Sequence, residues 1–485
     1  VRVETLIIGA GFGGLGSAIR LQHAGHHDFV ILERASEVGG TWRDNQYPGA
    51  ACDIPSNLYS FSFAPNPEWT RTYSGSAEIL DYVKRLVRDH HLLPKVRFGQ
   101  NVSELRFHAS EAEWEVRTDG GDVYRARSVI LASGALANPG YPNIEGIERF
   151  AGHRIHSARW DHGYDFAGKR VAVIGTGASA VQIIPELVKM AGFVKVFQRT
   201  PGWVLPRADR ATGERARSLF RRSPEAQAAA RKAMFWIHES MALGVIWSSP
   251  LTRVIERVAA AHLQKQVKDG WLRRQLTPNY RVGCKRILLS NTYYPALQAP
   301  NCKLLTWPIV KFTERGLVTA EGVEHQFDCV VFATGFDVHK TSTVFPIIGL
   351  DGRVLGEEWK KGSQAYKSMN VSGYPNLHFI LGPNSGPGHN SALVYMESQI
   401  DFAVQGVRAV TEGGLRTLDV RPEAQRRYNE QLQRRLAKTN WSSGCKSWYL
   451  TEDGYNATMY PGFATQYARG LRRLRLEDYQ TTAVR

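Results

Sequence analysis

The chain has 485 residues, room for several domains and a large core. Hydrophobic residues make up 43% and charged residues 22%, the balance of a folded globular protein, and no apolar run reaches the ~18–20 residues of a membrane helix. The net charge of +16 is spread along the chain, with local clusters at RARSLFRR and RGLRRLR, which favours a basic surface that attracts anionic cofactors over a nucleic-acid groove.

The chain begins at Val1 rather than Met, as expected of a sequence short of a few N-terminal residues, and no signal-peptide pattern opens it. The stretch VETLIIGAGFGGLGSAIRLQHAG reads as a buried strand, a glycine turn and a helix. Gly9, Gly11 and Gly14 fit G-x-G-x-x-G, where glycines permit a tight turn and close approach of a pyrophosphate to the helix N-terminus. A second strand, FVILER, ends at Glu33, an acid placed to accept hydrogen bonds from a ribose diol. A further apolar strand, SVILASG, ends in small residues at Gly134, which suit close approach to a ligand.

The same unit recurs in KRVAVIGTGASA, with Gly175, Gly177 and Ala180 in a G-x-G-x-x-A turn, the helix VQIIPELVKMA and the strand VKVFQRT. This copy ends in Gln198, Arg199 and Thr200 with no acid, so it suits a 2′-phosphate and predicts NADPH over NADH. Residues 207–275 are helical in period and composition and read as an insertion that caps the domain or shapes a pocket, with weak peripheral membrane contact as another use. The most apolar part, AMFWIHESMALGVIW, is broken by His238 and Glu239. A second small-residue strand end, DCVVFATGF, closes at Phe336.

These elements predict an α/β chain: two Rossmann-like dinucleotide-binding domains, the second inserted in the first, with a helical insertion. The expected parts are 1–145 and 341–485 for the first domain, 146–204 and 283–340 for the second, and 205–282 for the insertion. Two dinucleotide sites in one chain imply a flavin fed by a nicotinamide, FAD at the acidic first site and NADPH at the second. Cys52, Cys284, Cys302, Cys329 and Cys445 are odd in number and contain no C-x-x-C, so neither a disulfide framework nor a metal site is expected, and a reducing cytoplasm is.

Between the two turns lies FAGHRIHSARWD, residues 150–161, which fits F-x-G-x-x-x-H-x-x-x-W-D. That pattern resembles the fingerprint of type I Baeyer–Villiger monooxygenases. GGTWRDNQYPGAACDIPSNLYSFSF (39–63) resembles their second FAD stretch, FATGF their interdomain linker, GCKRILLSNTYYP (283–295) their arginine segment and SWY (447–449) a late landmark. The resemblance implies oxygen insertion into ketones, giving esters or lactones, with NADPH, O2 and a C4a-peroxyflavin. It makes Arg286 the catalytic cation and Asp53 the carboxylate that tunes it. It assigns Gly40, Thr41, Trp42, Asp53, Tyr59 and Val102 to FAD. It assigns Thr176, Gly177, Ser179, Ala180, Gln182, Arg199, Thr200 and Lys285 to NADPH. His156 is expected to couple the two domains rather than move a proton. The glycine- and proline-rich loop 381–396 is a candidate wall of the substrate pocket, with His389 and Asn390 as candidate substrate contacts. The competing readings are a flavin monooxygenase acting on nitrogen or sulfur and a non-catalytic NADPH sensor.

Overall fold

The computed structural model describes residues 1–337, 345–445, 447–451 and 453–483. β1 (Arg2–Ile8) runs through the glycine turn into α1 (Phe12–His23) and β2 (Phe29–Leu32). After α2 (Thr41–Asp44) and α3 (Ser76–Asp89) come β3 (Val96–Arg97), β4 (Val102–His108), β5 (Glu113–Thr118) and β6 (Val123–Leu131). The sheet order is β3-β2-β1-β6-β5-β4. β1 pairs in parallel with β2 and β6, while β4 and β5 form an antiparallel meander on the outer edge. Leu6 and Ile7 of β1 are fully buried on opposite faces, as a strand covered on both sides requires.

The chain then leaves for a second sheet built from β7 (His153–His156), β8 (Arg170–Ile174) and, after α4 (Ala178–Met190), β9 (Phe193–Phe197). A short strand β10 (Val204–Leu205) precedes four helices: α5 (Glu214–Arg222), α6 (Pro224–Val245), α7 (Pro250–Gln266) and α8 (Gly270–Gln275). Proline starts α6 and α7, where its missing N–H costs nothing, and the Ser223 hydroxyl caps α6 by accepting from Ala226 N at 3.2 Å. Beyond them lie β11 (Leu288–Leu289), α9 (Tyr293–Ala296), β12 (Cys302–Leu305), a three-stranded antiparallel patch of β13 (Ile309–Phe312), β14 (Gly316–Thr319) and β15 (Glu324–Gln326), and β16 (Cys329–Phe332). The second sheet, ordered β12-β9-β8-β16-β7, is parallel throughout.

The chain returns to the first sheet with β17 (Ile347–Ile348), paired to β4, and, after α10 (Leu355–Glu358), with β18 (Leu377–Phe379), paired to β6. α11 (Ala392–Thr411) packs on the first sheet, followed by β19 (Leu415–Val420), α12 (Pro422–Leu436), α13 (Ala464–Leu471) and β20 (Tyr479–Ala483). The second nucleotide domain is therefore inserted in the first, with a helical insertion of its own. The two crossings between the sheets pair with each other: Gly140 N donates to Gly335 O at 2.8 Å and Asp337 N to Asn138 O at 3.1 Å. The expected boundary at 340–341 lies outside the described residues.

The expectation of no disulfide is corrected. Cys284 is bonded to Cys445 across 161 residues, with Cα atoms 6.3 Å apart. Cysteine spacing carries no signal for such a pair, because folding alone brings the two segments together. Here the Asn440 amide does so, donating to Val245 O at 3.1 Å and Val282 O at 3.3 Å. Among the described residues no helix is long and apolar enough to cross a membrane, and no cluster could hold a metal ion.

Candidate active site

The two glycine turns are built alike. Gly9 has φ +103°, and a Cβ there would meet the Ala132 carbonyl oxygen at 2.5 Å. Gly175 has φ +113° and abuts the Ala333 carbonyl in the same way. The strand ends at Ala132–Gly134 and Ala333–Gly335 thus close against their respective turns. Gly14 packs on the Gly9 carbonyl, and a Cβ on Gly40 would lie 3.1 Å from Gly11 Cα. Gly39 N donates to Ala10 O at 3.0 Å, which fastens the 39–42 stretch over the first turn.

Glu33 is buried beside that turn and is heavily committed. Its carboxylate accepts from Ala10 N at 2.9 Å, Ala35 N at 2.9 Å and Arg43 Nη1 at 3.0 Å. Thr41 opens α2, and Trp42 Nε1 donates to the Tyr59 hydroxyl at 3.1 Å. Burial raises the Tyr59 phenol well above its ordinary value, so it stays a neutral donor. The Val102 side chain is buried in the core of the first sheet with Leu6, Val30 and Leu32.

At the second turn, Thr176 donates from Oγ1 to Thr200 O at 3.1 Å and ties the turn to the end of β9. Gly177 caps α4, a Cβ on it would meet only open space, and Ala180 is fully buried beneath. Ser179 faces the Tyr47 hydroxyl. Gln182 has a role that the sequence does not disclose. Its Oε1 accepts from the Tyr47 hydroxyl at 2.9 Å and its Nε2 donates to Ala51 O at 3.0 Å, so it holds the loop that leads to Asp53. Arg199 is exposed, and Lys285 is half-buried over the Tyr280 ring. Burial, then the nearby Arg199 charge, lowers the Lys285 pKa. Among the described residues neither cation has an ion-pair partner, which leaves a doubly positive patch for an anion.

Arg286 stands where the domains meet. Its side chain is 47% exposed and its Nη2 lies 3.8 Å from Asp53 Oδ2, with Asp53 only 11% exposed. Among the described residues the Arg286 guanidinium makes no hydrogen bond within the protein. Burial opposes its charge, but Asp53, with Tyr449, Cys52 and Tyr59, more than compensates and raises its pKa. Burial raises the Asp53 pKa, opposed by Arg286 and then Arg207. Tyr449, from the SWY stretch, is pushed up to about 12 by burial. Arg207 was not legible in the sequence: it follows a two-residue strand and belongs to no motif.

His389 and Asn390 are not at a pocket edge, and that expectation is corrected. Both are buried and bound to Glu239 of α6: His389 Nε2 lies 3.1 Å and Asn390 Nδ2 3.1 Å from Glu239 Oε2. An acid on the insertion needs donors when it is buried, and this loop supplies them. His156 is 2% exposed at the end of β7, between the rings of Tyr141 and Phe336 and so beside both interdomain crossings.

Residues 6–212 match the family described as pyridine nucleotide-disulphide oxidoreductase. Over 481 residues the chain is 44% identical to a Baeyer–Villiger monooxygenase of Streptomyces coelicolor, covering 99% of this chain and 92% of that protein. The chain belongs to the Baeyer–Villiger monooxygenase family. Its fold agrees: cyclohexanone monooxygenase from Rhodococcus sp. Phi1 bound to NADP+ superposes with TM-score 0.89 at 26% identity, covering 100% of this chain and 99% of the other. OTEMO in complex with FAD and NADP gives TM-score 0.89 at 25% identity, covering 99% of both chains. As a Baeyer–Villiger monooxygenase the chain is an FAD- and NADP-dependent enzyme, and its residues fit both nucleotides. Each glycine turn is a cradle that a Cβ would fill, and Arg199 and Lys285, without an ion-pair partner among the described residues, suit a 2′-phosphate.

Proposed function

We propose that this enzyme inserts one oxygen atom of O2 beside the carbonyl of a ketone, giving an ester or lactone, with Arg286 as its catalytic residue. The observation that carries the assignment is the half-exposed Arg286 guanidinium, which makes no hydrogen bond among the described residues and lies 3.8 Å from Asp53. FAD held at the first turn and reduced by NADPH held at the second supplies the activation of O2.

Arg286 keeps its proton at every working pH, so it offers a permanent positive charge. Its free N–H groups can face negative charge as it develops on the attacking oxygen and on the substrate carbonyl oxygen. Asp53 orients the guanidinium from behind without forming a close pair, which leaves the donors for the reacting atoms. Trp42, Tyr59 and Tyr449 close the site with aromatic surface and uncharged hydroxyls, which keeps water from quenching the oxidant. Gly9, Gly11, Gly14, Glu33, Gly40 and Thr41 hold FAD. Thr176, Gly177, Ser179, Ala180, Arg199, Thr200 and Lys285 hold NADPH.

The test is NADPH consumption against linear, cyclic and aryl ketones, with products identified by mass spectrometry, beside Arg286→Ala. Ester or lactone that disappears in the variant while NADPH still reduces the flavin supports the assignment. A sulfoxide or N-oxide that survives the variant, with no ester from any ketone, overturns it.

A further inference from the structure

The Asp53 loop is gripped from a second direction. β10 and β11 are parallel, with Val204 opposite Leu288 and Leu205 opposite Leu289. Arg286 precedes this pair and Arg207 follows it. The Arg207 backbone is fixed by Asn291: its N–H donates to Asn291 Oδ1 at 3.0 Å and its carbonyl accepts from Asn291 Nδ2 at 2.7 Å. Its guanidinium crosses to the other domain, where Nη2 donates to Cys52 O at 3.2 Å and the plane sits 5.2 Å from the Tyr73 ring centroid. The segment after it is laced to the same region, since Asp209 accepts from Arg71 Nε at 2.9 Å and from Tyr73 N at 3.3 Å. The Arg207 Nε is buried with no hydrogen-bond partner among the described residues.

We propose that Arg207 is a positioning residue that anchors the Cys52–Asp53 backbone to the second domain and shares the Asp53 charge, so that Asp53 orients Arg286 without neutralising it. This rests on the assignment of Arg286 and Asp53 above. A carboxylate alone with one guanidinium closes to a hydrogen bond of ~2.7–2.9 Å; here the separation is 3.8 Å. The ionisable groups facing Asp53 are Arg286, Arg207, Tyr73, Tyr47 and Cys52. Only the two arginines oppose the burial that favours a protonated Asp53. Without the Arg207 charge, Asp53 takes up its proton at higher pH, and its loop loses a tether to the second domain.

The experiment follows the Asp53 carboxyl stretch by infrared titration of the holoenzyme, assigned by its loss in Asp53→Asn. Arg207→Gln should shift the Asp53 midpoint to higher pH and lower the ester formed per NADPH about tenfold, less than the ~10²–10³ lost with a direct donor. Arg207→Lys, which keeps the charge, should restore the midpoint. Should Arg207→Gln fail to fold, Asn291→Ala, which frees the Arg207 backbone, must move the midpoint the same way. An Asp53 midpoint at the wild-type value in Arg207→Gln or Asn291→Ala, or Arg207→Lys titrating like Arg207→Gln, overturns the inference. Arg286→Ala separates the two readings. If it still makes ester, the Arg286 assignment falls; if it does not and Arg207→Gln leaves Asp53 unmoved, only the Arg207 role falls.

Discussion

Arg199, just past β9, stands close enough to Lys285 for its charge to help lower the Lys285 pKa, and among the described residues no carboxylate pairs with either. Two like charges are tolerated at such a place when an anion is meant to join them. Under the proposed assignment that anion is the 2′-phosphate of NADPH. Arg199→Gln and Lys285→Gln should each raise the KM for NADPH by ~10–100-fold, the value of a charged hydrogen bond, and leave the KM for NADH nearly unchanged. Equal losses with both nucleotides would place the pair elsewhere. The check is steady-state kinetics with each nucleotide.

Glu239 gathers five donors on one carboxylate: His389, Asn390, Ala464 N, Thr465 N and the Thr465 hydroxyl. Burial would raise its pKa, but His389, Thr465 and Asn390 hold it down to about 2, against 4.5 for a free side chain. An acid held low contributes stability that is present above pH 4.5 and lost as the pH falls toward 2. The difference amounts to about 3 kcal/mol. Glu239→Gln should remove that contribution at neutral pH and flatten the stability curve in this window. Limited proteolysis should then cut first in α6. Unchanged acid stability and an unchanged cleavage pattern would contradict this anchoring.

Burial lowers His156 to about 4, only partly offset by the Gly140 and Gly335 carbonyls. A histidine held neutral in the fold contributes stability above its unfolded pKa of ~6.5, and loses it as the pH falls from there toward 4. His378 is lowered to about 4 by burial as well, so the two share this window. His156→Asn should reduce the slope of stability against pH between 6.5 and 4. Chemical denaturation at several pH values reads it directly, and a slope equal to wild type would count against the assignment.

The Cys284–Cys445 bond closes a loop of 161 residues. By restricting the unfolded chain such a link contributes at most about 5 kcal/mol. Thiol reductant should therefore lower the thermal midpoint of the wild type and leave Cys445→Ser unaffected. Peptide mapping without reductant should recover the two cysteines in one linked fragment. A melt insensitive to reductant would mean that the bond is not maintained.

What the sequence disclosed was local. Gly9, Gly11, Gly175 and Gly177 follow strands and open helices, so strand, turn and helix signals coincide within a few residues of one another. Arg286 and Asp53 were legible because each sits in a distinctive motif. Gln182, Arg207 and the cysteine pair were not. The resemblance assigns Gln182 to NADPH; what no motif discloses is that its amide also holds Tyr47 and Ala51 of the other domain. The 381–396 loop was read from its glycines and prolines as a mobile edge. The acid that binds His389 and Asn390 lies 150 residues before His389, on a helix whose burial no periodicity reveals.

The grip of Gln182 on the Tyr47–Ala51 loop joins the helix of the second glycine turn to the loop that leads to Asp53. Gly49, at φ +82°, nests against the Gln182 carbonyl, where a Cβ would meet the oxygen at 2.7 Å. Gln182 belongs to α4, the helix that opens at the second turn, and the loop it holds continues into Cys52 and Asp53. A nucleotide that steadies α4 steadies this loop, and reciprocity then requires that FAD strengthen NADP binding by the same factor that NADP strengthens FAD binding. Flavin retention on dilution should then rise when NADP is present in the buffer.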